Sequence, residues 1–372
     1  MSQSERVGFD WSAYTGQLKW LPSRTLYLTR HGSHAYGTGL PTSDLDIRGV
    51  AVAPMHYYLG ISETFEQAIQ HEPIDLTVFE LRKFVKLAAD ANPNALEILF
   101  TDPSDHLYVH PLGERLLEAR DLFLSQKAKH TFSGYARSQL ARINAHYRWL
   151  KNPPQAPPTR AEFGLPERTV IPADQLAAAQ SAISKQIDQW SWHEMEHLDP
   201  ATRQAVQDEF TRRLLEITQW GADVVESRIW LAASRAIGLD ENFIRLLDLE
   251  RQYIGRLKEW QNYQSWKKNR NPARAALEAK FGYDAKHAMH LVRLTKMCRE
   301  VLTSGVVQVR RPDADELLEI RNGAWTYEQL LEYSNREDAA LNEQIKTSRL
   351  PRQPDRKKLD ELCQSIIEGV GR

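Results

Sequence analysis

The chain has 372 residues, 42% hydrophobic and 26% charged, with a formal net charge of −1. That fits a soluble globular protein long enough for two domains; no run of about eighteen apolar residues marks a membrane span, and Met1-Ser2-Gln3-Ser4-Glu5-Arg6 has no apolar core for secretion. Two cysteines, Cys298 and Cys363, exclude a disulfide scaffold and a thiolate zinc site and suit a reducing cytoplasm.

The first informative element is a short strand predicted over residues 25–30, bounded by Pro22 and Gly32. The chain then turns at Gly32-Ser33. Gly32 lets the backbone approach a ligand with no Cβ in the way. Ser33 supplies a hydroxyl where a helix could begin, and backbone N–H groups at such a start attract phosphate oxygens. Leu45, Ile47, Val50 and Val52 mark a second strand over residues 44–53. Side chains two apart on a strand share a face, so Asp44 and Asp46 aim at one point. Two carboxylates that close repel unless a cation lies between them, and Mg²⁺ takes oxygen ligands and bridges phosphates. The alternating run Ile74-Asp75-Leu76-Thr77-Val78-Phe79 predicts a third strand. Beside the second, it would bring Asp75 to the same face as a third carboxylate. Alone, a Gly-Ser is a turn and each aspartate a surface group. Joined in this order they point to a nucleoside triphosphate and two divalent ions. A Walker A loop is absent, and Gly37-Thr38-Gly39 is too short for a dinucleotide fingerprint.

Residues 80–90 read as a helix with Leu81, Phe84, Val85 and Ala88 on one side, ended by Asn92-Pro93, and Asn94 is expected to cap the next. From residue 112 the pattern is almost wholly helical: 112–125, 130–150, 177–192, 200–236, 246–266, 272–279 and 283–304. Residues 151–158, rich in proline, read as a stiff exposed linker. Residues 1–111 thus form one expected domain and 112–372 a helical one.

Residues 251–311 hold 14 Lys plus Arg against 4 Asp plus Glu, an excess of positive charge that could face nucleotide or RNA phosphates or lie on a solvated helical surface. Lys286, His290 and Arg293 share a helix face. Lys286 and Arg293 could hold phosphate oxygens, with a hydrogen bond from His290. Lys267, Lys268, Arg270 and Arg274 are further candidates for RNA or phosphate contact, beside Trp266. His287 and His290 lack carboxylates or cysteines at ligand spacing, so no metal pair is expected there. His193-Glu194-Met195-Glu196-His197 matches the zinc-protease pattern in letters, but Asp199-Pro200 ends the helix at once and an exposed helix end is expected.

Gly32-Ser33, Tyr36-Gly37 and Ser43-Asp44-x-Asp46-x-x-Gly49 resemble the DNA polymerase β nucleotidyltransferase superfamily, and more narrowly its RNA-ligase-associated, RNA repair branch. Leu81-Arg82-Lys83-Phe84 and Asn92-Pro93-Asn94-Ala95-Leu96-Glu97-Ile98-Leu99 are similar to the segment after that branch's third carboxylate. Trp266-Lys267-Lys268-Asn269-Arg270-Asn271-Pro272 and the run from Tyr283-Asp284 to Leu294 look like its C-terminal signature. Residues 150–245 match nothing in it and read as a helical insertion. The resemblance implies an α+β fold, a polymerase-β-like mixed-sheet domain followed by a mostly helical one. It implies Mg²⁺ (two ions, with Mn²⁺ as a substitute) on Asp44, Asp46 and Asp75, and the triphosphate of an NTP such as ATP against Gly32 and Ser33. Ser43 would support the turn that sets Asp44. Many relatives have a small or basic residue where this chain has His34, which leaves the local phosphate contacts open. The expected reaction moves NMP from NTP to an acceptor hydroxyl, an RNA 3′ end by the resemblance. The alternatives are transfer to a protein or small molecule, and a catalytically silent nucleotide- or RNA-binding module.

Overall fold

The computed structural model describes residues 9–192, 222–270 and 272–371. The His193–His197 motif lies outside the described residues. The chain forms two compact units: residues 1–151 with 272–372, and residues 152–271.

The first unit is built on a five-stranded mixed sheet in the order β3-β4-β2-β1-β5. Its strands are β1 (Thr25–His31), β2 (Asp46–Ala51), β3 (Gln67–Gln70), β4 (Asp75–Glu80) and β5 (His106–Val109). The β2–β4 pair is parallel and the other pairs are antiparallel. Period-two alternation splits β2 and β4 between two cores. Ile47, Ala51, Leu76 and Val78 pack with Leu21 and Leu28 against the N-terminal aromatics Phe9, Trp11, Tyr14 and Trp20. Val50 and Phe79 face the larger helical core on the other side. Asp46, Arg48 and Asp75 share that second face, at the sheet end where β2 and β4 begin.

The second strand starts at Asp46, two residues later than expected, and Asp44 precedes it in irregular chain. The reason is the partner strand: β1 pairs His31 with Asp46 and then turns away at Gly32, so no ladder remains for residues 44 and 45.

Helix α1 (Gly32–Tyr36) follows β1, and α2 (Leu81–Ala89) follows β4 with Leu81, Phe84, Val85 and Ala88 buried, as the spacing predicts. The next helix, α3 (Pro93–Leu99), is capped by Asn92 and not by Asn94. Asn92 accepts from the backbone N–H groups of Asn94 (3.0 Å) and Ala95 (3.3 Å), and Pro93 at the first helical position has no N–H to satisfy. Asn92→Ala should therefore cost about 1 kcal/mol in urea unfolding. Tyr27 of β1 donates to Ile98 O (3.1 Å), tying α3 to the sheet.

Beyond β5 come α4 (Pro111–Glu118) and the long α5 (Lys127–Lys151). Outside the second unit's span the chain continues as α6 (Pro272–Phe281), α7 (Ala285–Ser304), α8 (Ala314–Arg321), α9 (Tyr327–Thr347) and α10 (Arg356–Gly371). Helix α7 starts at Ala285 because Asp284 caps it, accepting from His287 N at 3.1 Å. It packs along α5, and its buried face runs from Ala288 and Met289 through Leu291, Val292 and Met297 to Leu302. Within the second unit, Ile183, Trp230, Ala233, Ile244 and Leu247 form a small core. Arg160 donates there to Glu250 (2.9 Å). No helix among the described residues is long and apolar enough to cross a membrane.

Candidate active site

Asp46 and Asp75 stand opposite each other in register on parallel strands, which aims both side chains at one point. Arg48, two residues after Asp46 on the same face, bridges them. It donates to Asp46 Oδ1 (3.1 Å) and Asp75 Oδ1 (2.9 Å), and also to the carbonyls of Ile47 (2.9 Å) and Asp75 (3.2 Å). The guanidinium offsets the repulsion between the two carboxylates and fixes one oxygen of each. The other oxygen of Asp46, Oδ2, lies against Gly32, where a Cβ would overlap it. Gly32 also has φ +63°, a conformation that side chains other than glycine adopt at a cost.

The strand end, the turn and the carboxylates thus meet. Ser33 is half-buried on α1, whose N-terminus carries no side-chain cap. Ser43 Oγ accepts from Leu40 N (2.9 Å), and Ser43 N donates to Leu40 O (2.9 Å), closing the turn before Asp44. His34 Nε2 is 3.3 Å from Ser43 O, joining α1 to that turn. Asp44 itself is exposed.

Gly32→Ala would force a Cβ onto the Asp46 carboxylate. It is expected to lower activity by about a hundredfold through a misplaced ligand, well beyond its effect on the thermal midpoint; activity equal to the parent's would count against the geometry. Arg48→Met would leave both carboxylates without their bridge, and divalent-ion binding weakened by about 10–100-fold in a titration is expected.

Behind α1 lies a buried polar cluster. Glu97, on α3, is fully buried. It accepts from Tyr36 Oη (2.5 Å), pairs with Arg293 (2.5 Å) and has His31 Nε2 3.4 Å away. The Arg293 guanidinium lies 3.8 Å from the centre of the Tyr36 ring. Burial alone would raise the Glu97 carboxyl, but Arg293, His31 and Tyr36 outweigh it and hold it at about 2. Arg293 is therefore buried and committed to Glu97 and Tyr36, one side chain removed from the Gly32–Tyr36 helix. On the same helix, burial and then the charges of Arg293 and Lys286 push His290 down to about 3, so it is neutral at physiological pH. Lys286 is half-buried.

The remaining candidates are divided. Lys267 and Lys268, both exposed, and Arg270, 4.6 Å from the centre of the Trp266 ring, belong to the second unit; Arg274 belongs to the first. The charge excess of residues 251–311 is smaller in space than along the chain. Lys296 pairs with Asp313 (2.8 Å), Arg310 with Asp105 (2.7 Å), Arg311 with Glu300 (2.6 Å), and Arg299 with Glu337. Most of those acids lie far away in sequence or outside the counted stretch.

Sequence reasoning assigned no role to Arg48, Glu97, Tyr36 or His31. Arg48 was readable from strand alternation, two places after Asp46. Glu97 stood out as a carboxylate between Leu96 and Ile98 on an apolar helix.

A mixed five-stranded sheet carrying paired carboxylates and a Gly-Ser turn at one end defines an α+β, polymerase-β-like domain. Residues 13–151 match the family model RlaP, described as "RNA repair pathway DNA polymerase beta family". The match covers the sheet and all three aspartates, and it bears out the branch that the motifs resemble. An uncharacterized 38.9 kDa protein of the nrdC-mobD intergenic region of Enterobacteria phage T4 is 29% identical over 133 residues, 32% of this chain and 38% of that protein. The uncharacterized protein YcgL of Bacillus subtilis (strain 168) is 33% identical over 82 residues, 21% of this chain and 31% of that protein. The chain thus spans about a third of the length of these curated relatives. No solved structure matches it.

Proposed function

We propose that the protein is a Mg²⁺-dependent nucleotidyltransferase that moves NMP from an NTP to an acceptor hydroxyl, with the N-terminal domain over residues 1–111 carrying the chemistry. The observation that carries this reading is the in-register pair Asp46 and Asp75, with Asp46 Oδ2 packed against Gly32. The donor set is all carboxylate oxygen, the chemistry Mg²⁺ takes, with Mn²⁺ as a substitute. Asp46 and Asp75 would hold the ions through the oxygens that Arg48 leaves, and Asp44 would join from the loop before β2. Bound there, two ions would neutralise the triphosphate and stabilise charge in the in-line transition state.

The chain's own groups do the rest. Gly32 and Ser33 cradle the β,γ-phosphates, and Ser43 holds the turn that presents Asp44. The acceptor oxygen bonds to the α-phosphorus as the bond to the β-phosphate oxygen breaks. Asp75 draws off the hydroxyl proton, and pyrophosphate leaves. Lys286 supplies positive charge and neutral His290 a hydrogen bond, while Arg293 acts from behind through Tyr36. The family description, which names an RNA repair pathway, supports RNA as the acceptor, and its 3′ hydroxyl is the acceptor we favour.

The test is incubation with each labelled NTP, Mg²⁺ and total cellular RNA. Label on RNA ends that disappears with Asp46→Asn supports the proposal. Label on protein moves the acceptor to the toxin-like alternative. NTP binding without pyrophosphate release from any acceptor favours a silent module.

A further inference from the structure

A second cluster of ligating side chains lies in the first unit, apart from the three aspartates. His146 near the end of α5, Glu278 on α6 and Asp284 at the cap of α7 bring one ligand atom each to within 4.8 Å of one another. His146 Nδ1 is 3.6 Å from Glu278 Oε1 and 3.6 Å from Asp284 Oδ2. His287, one turn into α7, puts Nε2 3.5 Å from the same Asp284 Oδ2. The carboxylates are almost fully buried, Glu278 and Asp284 each 2% exposed.

We propose that His146, Glu278 and Asp284 form a structural site for a divalent transition ion, Zn²⁺ by preference, with His287 beside Asp284 at its edge. Three observations carry it. The 3.6 Å separations from His146 Nδ1 to the Glu278 and Asp284 oxygens are close to the edge of a tetrahedron, since zinc bonds of about 2.0–2.1 Å put ligand atoms about 3.3–3.4 Å apart. The side chains are already oriented: Gln139 Oε1 can only accept, so its 2.7 Å bond with His287 Nδ1 puts the proton on that nitrogen and turns the lone pair of Nε2 to the cluster. Asp284 spends Oδ1 on the helix cap and directs Oδ2 inward. Finally, two buried carboxylates with two imidazoles give a net charge that one divalent ion cancels.

A proton is the competing occupant. Burial lowers the His146 imidazole, but Asp284 and Glu278 outweigh it and raise its pKa, so a proton and an ion would compete for that ring. The sequence hid this site because His146 is remote from the other three, and His287 was paired in the wrong direction, with His290. His146 and Glu278 each lie within about two helical turns of the points where the chain leaves and re-enters the first unit. An ion there would staple α5 to α6 and α7.

The test uses the full-length protein, stripped with chelator and titrated with Co²⁺ and then Zn²⁺ without nucleotide. One tight equivalent is expected, with tetrahedral Co²⁺ absorption bands and a higher thermal midpoint on loading. His146→Gln and Glu278→Gln should weaken binding by about a hundredfold or more, and Gln139→Ala by about tenfold. Asp46→Asn should keep the equivalent, which separates this site from the Mg²⁺ site. Should the ligand variants fail to fold, X-ray absorption of the zinc-loaded parent decides: histidine scattering supports the site, and its absence overturns it. A stripped parent that takes up no tight Zn²⁺, or loses it only with Asp46→Asn, also overturns the proposal, leaving a proton-bridged ion network.

Discussion

Asp46→Asn is expected to reduce nucleotide transfer by at least about a thousandfold, roughly 4 kcal/mol of barrier, while the thermal midpoint stays close to the parent's. The two effects separate because the residue has two jobs. Its Oδ1 accepts from Arg48, and an asparagine carbonyl can still accept that bond. Its Oδ2, against Gly32, is the oxygen proposed for the ions, and an amide nitrogen there repels a cation. Volume hardly changes, so β2 keeps its packing. The measurement is label transfer from NTP, with calorimetry on the same preparations. Turnover above a tenth of the parent's would remove the carboxylates from the mechanism. Asp44→Asn makes the contrast informative: Asp44 is exposed and ahead of the strand, so the activity it costs is expected with little change in the thermal midpoint.

The parts of this site legible in the sequence are those written in local periodicity. Alternation through Ile74, Leu76 and Val78 was enough to read a strand and assign Asp75 a face, and the structure sets that strand in parallel beside Asp46. Strand limits were less legible, because Asp44 falls off the ladder only when β1 turns away at Gly32, an event on another strand. What the sequence could not supply is pairing over distance. The 14 cations of residues 251–311 look like an open basic face until Asp105 and Glu337 are found against Arg310 and Arg299. Arg293 has the right helical phase to face a phosphate, yet its partner Glu97 sits on a helix read only for its apolar side. Chain continuity is a poor guide to spatial units here: residues 272–372 complete the unit begun by 1–151, although the second unit separates them in sequence.

The buried pair yields the largest expected effect on stability. Arg293→Met would leave Glu97, which is fully buried, with its charge uncompensated, and a loss of about 3–5 kcal/mol in unfolding free energy is expected. Glu97→Gln, which strands the guanidinium in the same way, should cost a similar amount. The double variant should lose less than the sum, because neither charge is then left alone; strict additivity in a double-mutant cycle would show that the two side chains do not couple. Acid titration gives an independent check. Glu97 is held at about 2, below its unfolded value of about 4.3. The unfolded chain therefore binds the proton first. The pair's contribution is complete above about pH 4.3 and is lost as pH falls through about 2. In Glu97→Gln that part of the acid slope should vanish. Because Tyr36 is bonded to the same carboxylate and ends the Gly32–Tyr36 helix, the loosened variants should also bind NTP more weakly. A variant destabilised by the full amount but binding NTP as tightly as the parent would confine the cluster to holding the fold and break its link to the phosphate cradle.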